Sequence, residues 1–452
     1  MAVEYYTPGV YVEEVNSGSK SVTAVPTSIV GFIGEIKTGT PNQATLITTW
    51  ADYFDNFVGY TKQNKINPRG TVVKDENGNV VKEAVPNPKT TDLDWAVYAF
   101  FANGGSKCYV TGVKNTSGTV MATPVDTKKD KDKDKDVKAN KPVPPVVKKS
   151  NFDLVSAIIG NDGGPGKRTG INCFKEVDEV AILCAPGVID SAVQEEILSY
   201  CEIFNVFALL DAPQSLDELK RYGLSSDLNG LSQLSAKCAS KQASLYFPWI
   251  TVYDTDAKED ILVAPSGFVA GIYSRVDSVR GVHKAPANEP VRLAKSLAYS
   301  LSDKEQETLN QKGVNCIRDF ADMGIRVWGA RTTICDIDPE WRYVNVRRVF
   351  NMIEKSVKNG SKWAVFEPND SFLWIKLKRN ITSFLTRIYN SGALAGANAG
   401  EAFFVKCDAS NNPQENIDAG IVTIEVGIAV VKPAEFIVFK ISQKDTRAEE
   451  SA

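Results

Sequence analysis

Between residues 180 and 250 the sequence alternates in a way that leaves few choices of fold. VAILCAP (180–186) is an apolar run of strand length. Asp190-Ser191 then cap a segment in which Val193, Ile197, Tyr200-Cys201 and Phe204 recur at helical spacing. NVFALLDAP (205–213) is a second apolar run, more helical sequence follows, and SLYFPWI (244–250) is a third run. Strands joined through helices are parallel, with the helices packed on the sheet faces. The middle of the chain is therefore expected to be α/β.

Elements of the same kind precede it. SIVGFIGEI (28–36) reads as a strand, and LITTWADYFDNFVGY (46–60) as a strand running into a short helix. Asp92 is placed to cap a helix with Val97, Phe100 and Phe101 on one side and Asn103-Gly104-Gly105 as its stop. A strand, KCYVTGV, follows. Residues 61–90 are polar and rich in Lys, Asn, Gly and Pro, and read as an inserted loop. From 128 to 136 five Lys alternate with four Asp, so the local charge nearly cancels and no core can form; the run reads as a solvated surface loop. Residues 261–290 carry a further apolar patch, VAPSGFVAGIYS.

The last third changes type. IRVWGARTT (325–333) is expected as a strand. Asp338 should cap a helix with Pro339 in its first turn. That helix carries the stripe Val346, Val349-Phe350, Ile353 and Val357 and ends at Asn359-Gly360. A second helix, from about Asp370 to Asn390, carries Leu373, Leu377, Ile381, Phe384-Leu385 and Ile388. FFVKCD (403–408) is a strand. Val422, Ile424, Val426, Ile428 and Val430 then alternate with Thr423, Glu425, Gly427 and Ala429, the pattern of a half-buried strand. An α+β C-terminal domain follows from this.

Both ends of the chain carry strand-like sequence outside these domains. Val10, Tyr11, Val12, Glu13, Glu14 and Val15 follow Pro8-Gly9 and precede the polar leash Asn16–Lys20. AEFIVFKIS (434–442) follows Lys432-Pro433 and is apolar on both faces at Phe436, Ile437, Val438 and Phe439. A strand needs a sheet. These two either pair with each other in one molecule or are given to neighbouring copies.

Chemistry is sparse. The one histidine, His283, lies in a Gly/Pro loop, and no G-x-S-x-G elbow accompanies it, so it has no nucleophile to serve. With a single His and no C-x-x-C pair, a zinc site is not expected. GNDGGPGKRTG (160–170) looks like a phosphate loop but has Asn161 where the first Gly belongs and Arg168 where Ser or Thr belongs, and reads as a flexible surface loop. The acidic pairs Glu13-Glu14, Glu195-Glu196 and Glu449-Glu450 read as solvated charge. A net charge of −3 gives no basic field for nucleic acid. No apolar run is long enough to span a membrane, and no secretory signal is read at the start. Eight scattered cysteines, mostly within apolar runs, suit buried reduced thiols in a protein made in the cytoplasm. The residues therefore point to no enzyme, cofactor or metal. At 452 residues the chain has room for about three domains on a prior of about 150 residues each.

Five segments in order resemble the contractile tail sheath family: YYTPGVYVEEV (5–15), DWAVYAFFANGGSKCYV (94–110), GVHKAPAN (281–288), VWGARTT (327–333) and KPAEFIVFKISQ (432–443). The resemblance implies a multidomain sheath subunit of a myophage tail or a phage-tail-like extracellular injection particle, made in the bacterial cytoplasm. It looks less like the two-component sheath of the type VI secretion system. It implies stacked rings of this chain forming a helical sheath around an inner tube protein, with baseplate, terminator or cap proteins and paralogous sheath subunits as further partners. It also implies a division into an N-terminal strand-exchange arm (1–20), an α/β region (21–330) with surface insertions near 61–90 and 120–170, an α+β inner domain (331–431) and a C-terminal arm with a charged tail (432–452). The arms would act through Val10, Tyr11, Val12, Glu13 and Val15 and through Phe436, Ile437, Val438, Phe439 and Ile441. Gly18 and Pro433 would be their hinges. The exposed charges Arg342, Lys376, Lys378 and Arg379 are candidate tube contacts, the alternative being plain solvated helix faces. The alternative is a monomeric α/β binding protein with self-paired termini.

Overall fold

The alternating segment folds into the centre of one large sheet. The computed structural model describes residues 21–64, 80, 82–114 and 153–437. These divide into two compact units. Unit 1 holds the described residues up to Thr27, Val276–Ala285 and those from Trp341 onward; unit 2 holds Ser28–Arg275 and Pro286–Glu340. Residues 21–27 and Val276–Ala285, assigned from sequence to the α/β region, cluster with unit 1.

Unit 2 begins with β1 (Val30–Glu35), β2 (Ala44–Ile47), α1 (Trp50–Tyr53) and a hairpin of β3 (Tyr60–Asn64) and β4 (Lys82–Pro86). It continues through α2 (Asp92–Ala102), β5 (Cys108–Val113), α3 (Leu154–Ile159), β6 (Ile182–Cys184), α4 (Ser191–Phe204), β7 (Phe207–Asp211), α5 (Leu228–Lys237) and β8 (Ala243–Phe247). Then come β9 (Ile250–Asp254), β10 (Glu259–Val263), α6 (Pro265–Arg280), β11 (Glu289–Pro290), β12 (Ser296–Leu297), α7 (Asp303–Gln311), β13 (Val314–Phe320) and β14 (Gly324–Val327). The main sheet runs β11-β14-β13-β8-β7-β6-β1-β5-β2. Its six central strands, from β13 to β5, are parallel; β2 and β14 run antiparallel to them at the two sides, and β11 pairs antiparallel with β14. Phe32, Val110, Ile182, Phe207 and Leu245 are fully buried within it. A three-stranded sheet, β10-β9-β12, completes the unit. Helix α6 lies tight on α2 because Gly267 and Gly271 lack side chains: a Cβ at either would sit 2.4 Å from Ala96 O or 2.5 Å from Phe100 O.

Several local expectations are corrected. Thr91, not Asp92, caps α2: its hydroxyl accepts from Asp94 N–H while the Asp94 carboxylate accepts from the N–H of Thr91. The ends of the 61–90 segment pair as the β3–β4 hairpin. A ribbon that buries little leaves no apolar signature, so composition reads it as loop. SLYFPWI is two strands in two sheets, broken at Pro248, which has no N–H to give a ladder. IRVWGARTT is strand only to Val327. After one more ladder bond, Trp328 N–H to Cys316 O, the Asn315 side chain takes over, accepting from Arg331 N–H at 2.7 Å and donating to Arg331 O at 2.8 Å. The 160–170 loop is exposed but knit together by Asp162 with Arg168 and Lys175, and by Glu176 with Arg168. The apolar patch after residue 261 is helix α6. All eight cysteines are free and buried.

Unit 1 is built on α8 (Val344–Gly360) and α9 (Ser371–Asn390), followed by α10 (Ala399–Ala402), β15 (Phe403–Lys406), α11 (Gln414–Asp418) and β16 (Glu425–Ile428). The helix stripes read from sequence form its core: Val349 and Ile353 of α8 meet Ile381, Phe384 and Leu385 of α9, with Phe403 and Val405 of β15. Leu373, Trp374 and Leu377 form a second cluster with Cys407. Asp370 caps α9 as expected, accepting from Leu373 N–H. Asp338 instead caps a single 3₁₀ turn, Pro339–Trp341, and α8 starts at Val344. The strand expected over 422–430 is shorter because the Asn412 side chain bonds both Thr423 N–H and Thr423 O, taking 423 out of the ladder.

Candidate assembly interface

Where each chain end enters unit 1 can be traced residue by residue. The N-terminal stretch is fastened at four points. Val22 is 1% exposed and packs with Val349, Ile353 and Phe384, directly over Gly360, where a Cβ would sit 2.6 Å from Val22 Cγ2. Arg387 donates to Val22 O. Val25 N–H donates to Ser356 Oγ at 2.9 Å. Thr27 meets an ion pair: Arg348 Nη1 and Nη2 reach the two Asp277 oxygens at 2.9 and 2.5 Å, Thr27 Oγ1 donates to Asp277 Oδ2 at 2.6 Å, and Arg348 Nη2 also donates to Thr27 O at 3.0 Å. The pair is almost dry, with side chains 3% and 4% exposed. The arm residues Val10, Tyr11, Val12, Glu13 and Val15, and the hinge Gly18, lie outside the described residues.

The C-terminal stretch has its own fastenings. Asn345 Nδ2 donates to Val431 O at 3.1 Å, and Tyr343 OH donates to Glu435 at 3.0 Å. Pro433 lies between them. Residues 434–437, expected as strand, form none; no strand among the described residues pairs with them, and an isolated strand has no ladder to hold it. Phe436 and Ile437 stand 72% and 76% exposed. Val438, Phe439 and Ile441 lie outside the described residues.

Between these roots in the sequence lies a sheet with open edges. Among the described residues β15 and β16 pair only with each other, and past the end of β16 Val430 bridges Leu394 on the β15 side. Ala429 N–H donates to Ala402 O, which continues the register Phe403–Ile428, so odd-numbered residues of β16 bond toward β15. Successive residues of an antiparallel strand point their N–H and C=O to opposite sides. Those of Val426 and Ile428 therefore face away from β15, toward an edge with no strand against it among the described residues. Their side chains meanwhile pack against the core of unit 1.

The outer face of α9 is the third feature. Lys376, Lys378 and Arg379 are exposed as expected; Arg342 is half-buried, because it precedes α8 in the packed turn after Trp341. Sequence reading missed the apolar part of this face. Phe372 is 73% exposed and Ile375 62%, on the same side as Lys376 and Arg379 by their spacing of three, four and seven. Nearby in sequence, Phe366 is fully exposed at φ +69°, a conformation that is costly for a bulky residue. The signal was present: FLWIKL has more apolar residues than one stripe can bury.

His283 is half-buried, and burial first, then the Arg280 charge, lowers its pKa. Its carbonyl accepts from Asn345. Among the described residues no group of three or more His, Cys, Asp or Glu is placed to hold a metal, and no helix is long and apolar enough to cross a membrane.

Comparison with known proteins adds the following. The phage tail sheath protein central domain matches residues 169–333, and the phage tail sheath C-terminal domain matches residues 336–444. The chain is similar to the tail sheath protein of Burkholderia phage BcepMu, 24% identical over 96% of both chains. It is similar to that of Vibrio phage KVP40, 28% identical over 44% of this chain and 29% of the relative. Among solved structures it is similar to the contracted-state PVC sheath complex of an extracellular contractile injection system, at 27% identity and TM-score 0.68, covering 99% of this chain and 100% of that one. It is likewise similar to the contracted helical sheath of the anti-feeding prophage, at 26% identity and TM-score 0.66, covering 98% and 100%.

Proposed function

This chain belongs to the contractile tail sheath family, and from that premise we propose how one subunit is joined to the next. It is a structural subunit of a contractile sheath and not an enzyme. That membership sets aside the monomeric binding protein with self-paired termini. Subunits stack as rings into a helical sheath of a phage tail or an extracellular phage-tail-like particle. The sheath surrounds an inner tube protein and is bounded by a baseplate at one end and a terminator at the other.

In this reading Val10–Val15 and Phe436–Ile441 are donated to neighbouring copies, turning about Gly18 and Pro433. Each neighbour receives them on its β15–β16 sheet. The single observation that carries the reading is the free edge of β16 at Val426 and Ile428, in the same unit that anchors both chain ends. A strand added there completes hydrogen bonds that the described residues of unit 1 leave open. Each such bond is worth about 0.5–1.5 kcal/mol net, and each buried Val, Ile or Phe about 1.5–3 kcal/mol. One arm is a modest tie, repeated through a lattice.

The contact is heterologous, joining one patch to a different patch on the next copy, so it generates rings and helices rather than closed pairs. Contraction is a change of packing between subunits while the arms stay paired. The α9 face, with Lys376, Lys378 and Arg379 beside Phe372 and Ile375, is the candidate tube contact.

Deleting residues 1–17 tests the arm reading. The account expects folded, monodisperse subunits that form no tubes by negative-stain electron microscopy, while the full chain forms them. Normal tubes from the deletion would rule out the donated N-terminal strand.

A further inference from the structure

We propose that Thr27, Asp277 and Arg348 form a clasp that holds the root of the N-terminal arm on unit 1, so that a donated arm is anchored before its chain reaches β1. The inference rests on the donated-arm reading and names the residues that take the arm's load.

Thr27 is the last residue of the N-terminal stretch in unit 1, and β1 starts three positions later at Val30, as an interior strand of the nine-stranded sheet. A pull along the backbone that passed Thr27 would act on that strand. The other fastenings of the root are single contacts, none of them to an ion pair: Val22 by packing, Val22 O by the Arg387 guanidinium, Val25 N–H by Ser356. At Thr27 the chain meets a nearly dry ion pair whose bonding it helps complete. The Asp277 carboxylate takes both Arg348 nitrogens and the Thr27 hydroxyl, and the guanidinium also holds Thr27 O. A buried pair is costly to break from one side because it strands a charge. Thr27 is thus held through both its side chain and its main chain by the two charged groups of a nearly dry pair. An apolar contact of equal size would pack as well but would not fix direction. In this proposal the ion pair positions the root rather than holding the helices of unit 1 together.

The test uses the full chain. In the double variant Asp277→Leu/Arg348→Met the charges are replaced together, so no unpaired ion remains. Thr27→Val, which removes only the hydroxyl, is the second variant. Hydrogen exchange is read over residues 22–27, with melting temperature and tube formation alongside. The expected result for the double variant is exchange at Val25 and Thr27 faster by about tenfold or more, little change in melting, and few or no tubes; Thr27→Val should shift exchange in the same direction by less. Exchange unchanged in both variants overturns the clasp. Faster exchange with tubes of normal number and length also overturns it, since the root would then be free without consequence. Failure of the arm reading itself is seen separately, as tubes from the 1–17 deletion.

Discussion

The nine-stranded sheet of unit 2 and the two-stranded sheet of unit 1 are built from similar Val-, Ile- and Phe-rich strands, yet they end differently. In unit 2 each central strand is flanked by two others, and the sides are closed by short pieces: β2 has four residues, and β11 has two, one of them Pro290. Pro cannot donate a ladder bond, so that side offers little to a foreign strand. In unit 1 the outer edge of β16 is uncovered among the described residues, and the same unit anchors Val22–Thr27 and Val431–Glu435. One sheet is completed within its own chain. The other has a place for a strand and two chain ends fastened nearby in the same unit. In the proposed reading stability and assembly fall to different residues, and substitutions should separate them.

The largest separation should come from Phe207→Ala set against Phe436→Asp/Ile437→Asp. Phe207 is fully buried in β7, so truncation should cost about 3–5 kcal/mol and lower the melting temperature of the free subunit. Phe436 and Ile437 are exposed, so their replacement should leave melting within about 0.5 kcal/mol of the parent yet reduce tube formation. Melting curves and tube counts on the same samples check both. Equal losses of stability would erase the distinction.

A smaller effect is set by pH. Asp211, at the end of β7, is wholly buried, and desolvation pushes its carboxyl up to about 6 despite bonds from Ser266 and Gly187. A carboxyl raised on folding contributes stability that is fully present below the ordinary carboxylate range and is lost as pH rises through about 6. Asp211→Asn removes that titration. Relative to the variant, the parent should therefore lose stability between about pH 4 and pH 6, by on the order of 2–3 kcal/mol. Melting followed across this range reads it as a slope. A difference independent of pH would mean that the carboxyl titrates normally.

How much of this was legible in the sequence depended on whether a residue's partner is nearby or its environment uniform. The parallel strands announced themselves because both faces are buried, which writes continuous apolar runs such as VAILC. The stripes of α8 and α9 were equally clear, since one face packs and the other does not. Side chains standing in for backbone partners were not legible: Asn315 and Asn412 each end a strand that apolar pattern alone would extend. The N-terminal root was hidden for a related reason. SVTAVPT has no periodicity, and its partners Ser356 and Arg387 lie 331 and 365 positions away. For the candidate site, sequence placed Lys376, Lys378 and Arg379 on an exposed face but missed Phe372 and Ile375 beside them. It set Arg342 among exposed charges because the start of α8 was taken several residues early.

The most direct test of the account is a helical reconstruction of the assembled sheath at a resolution that traces the main chain. The account predicts a strand along the outer edge of β16, bonded to Val426 and Ile428, that connects through the leash to a different copy of the chain. An empty edge, or a strand there that traces back to its own subunit, would contradict it.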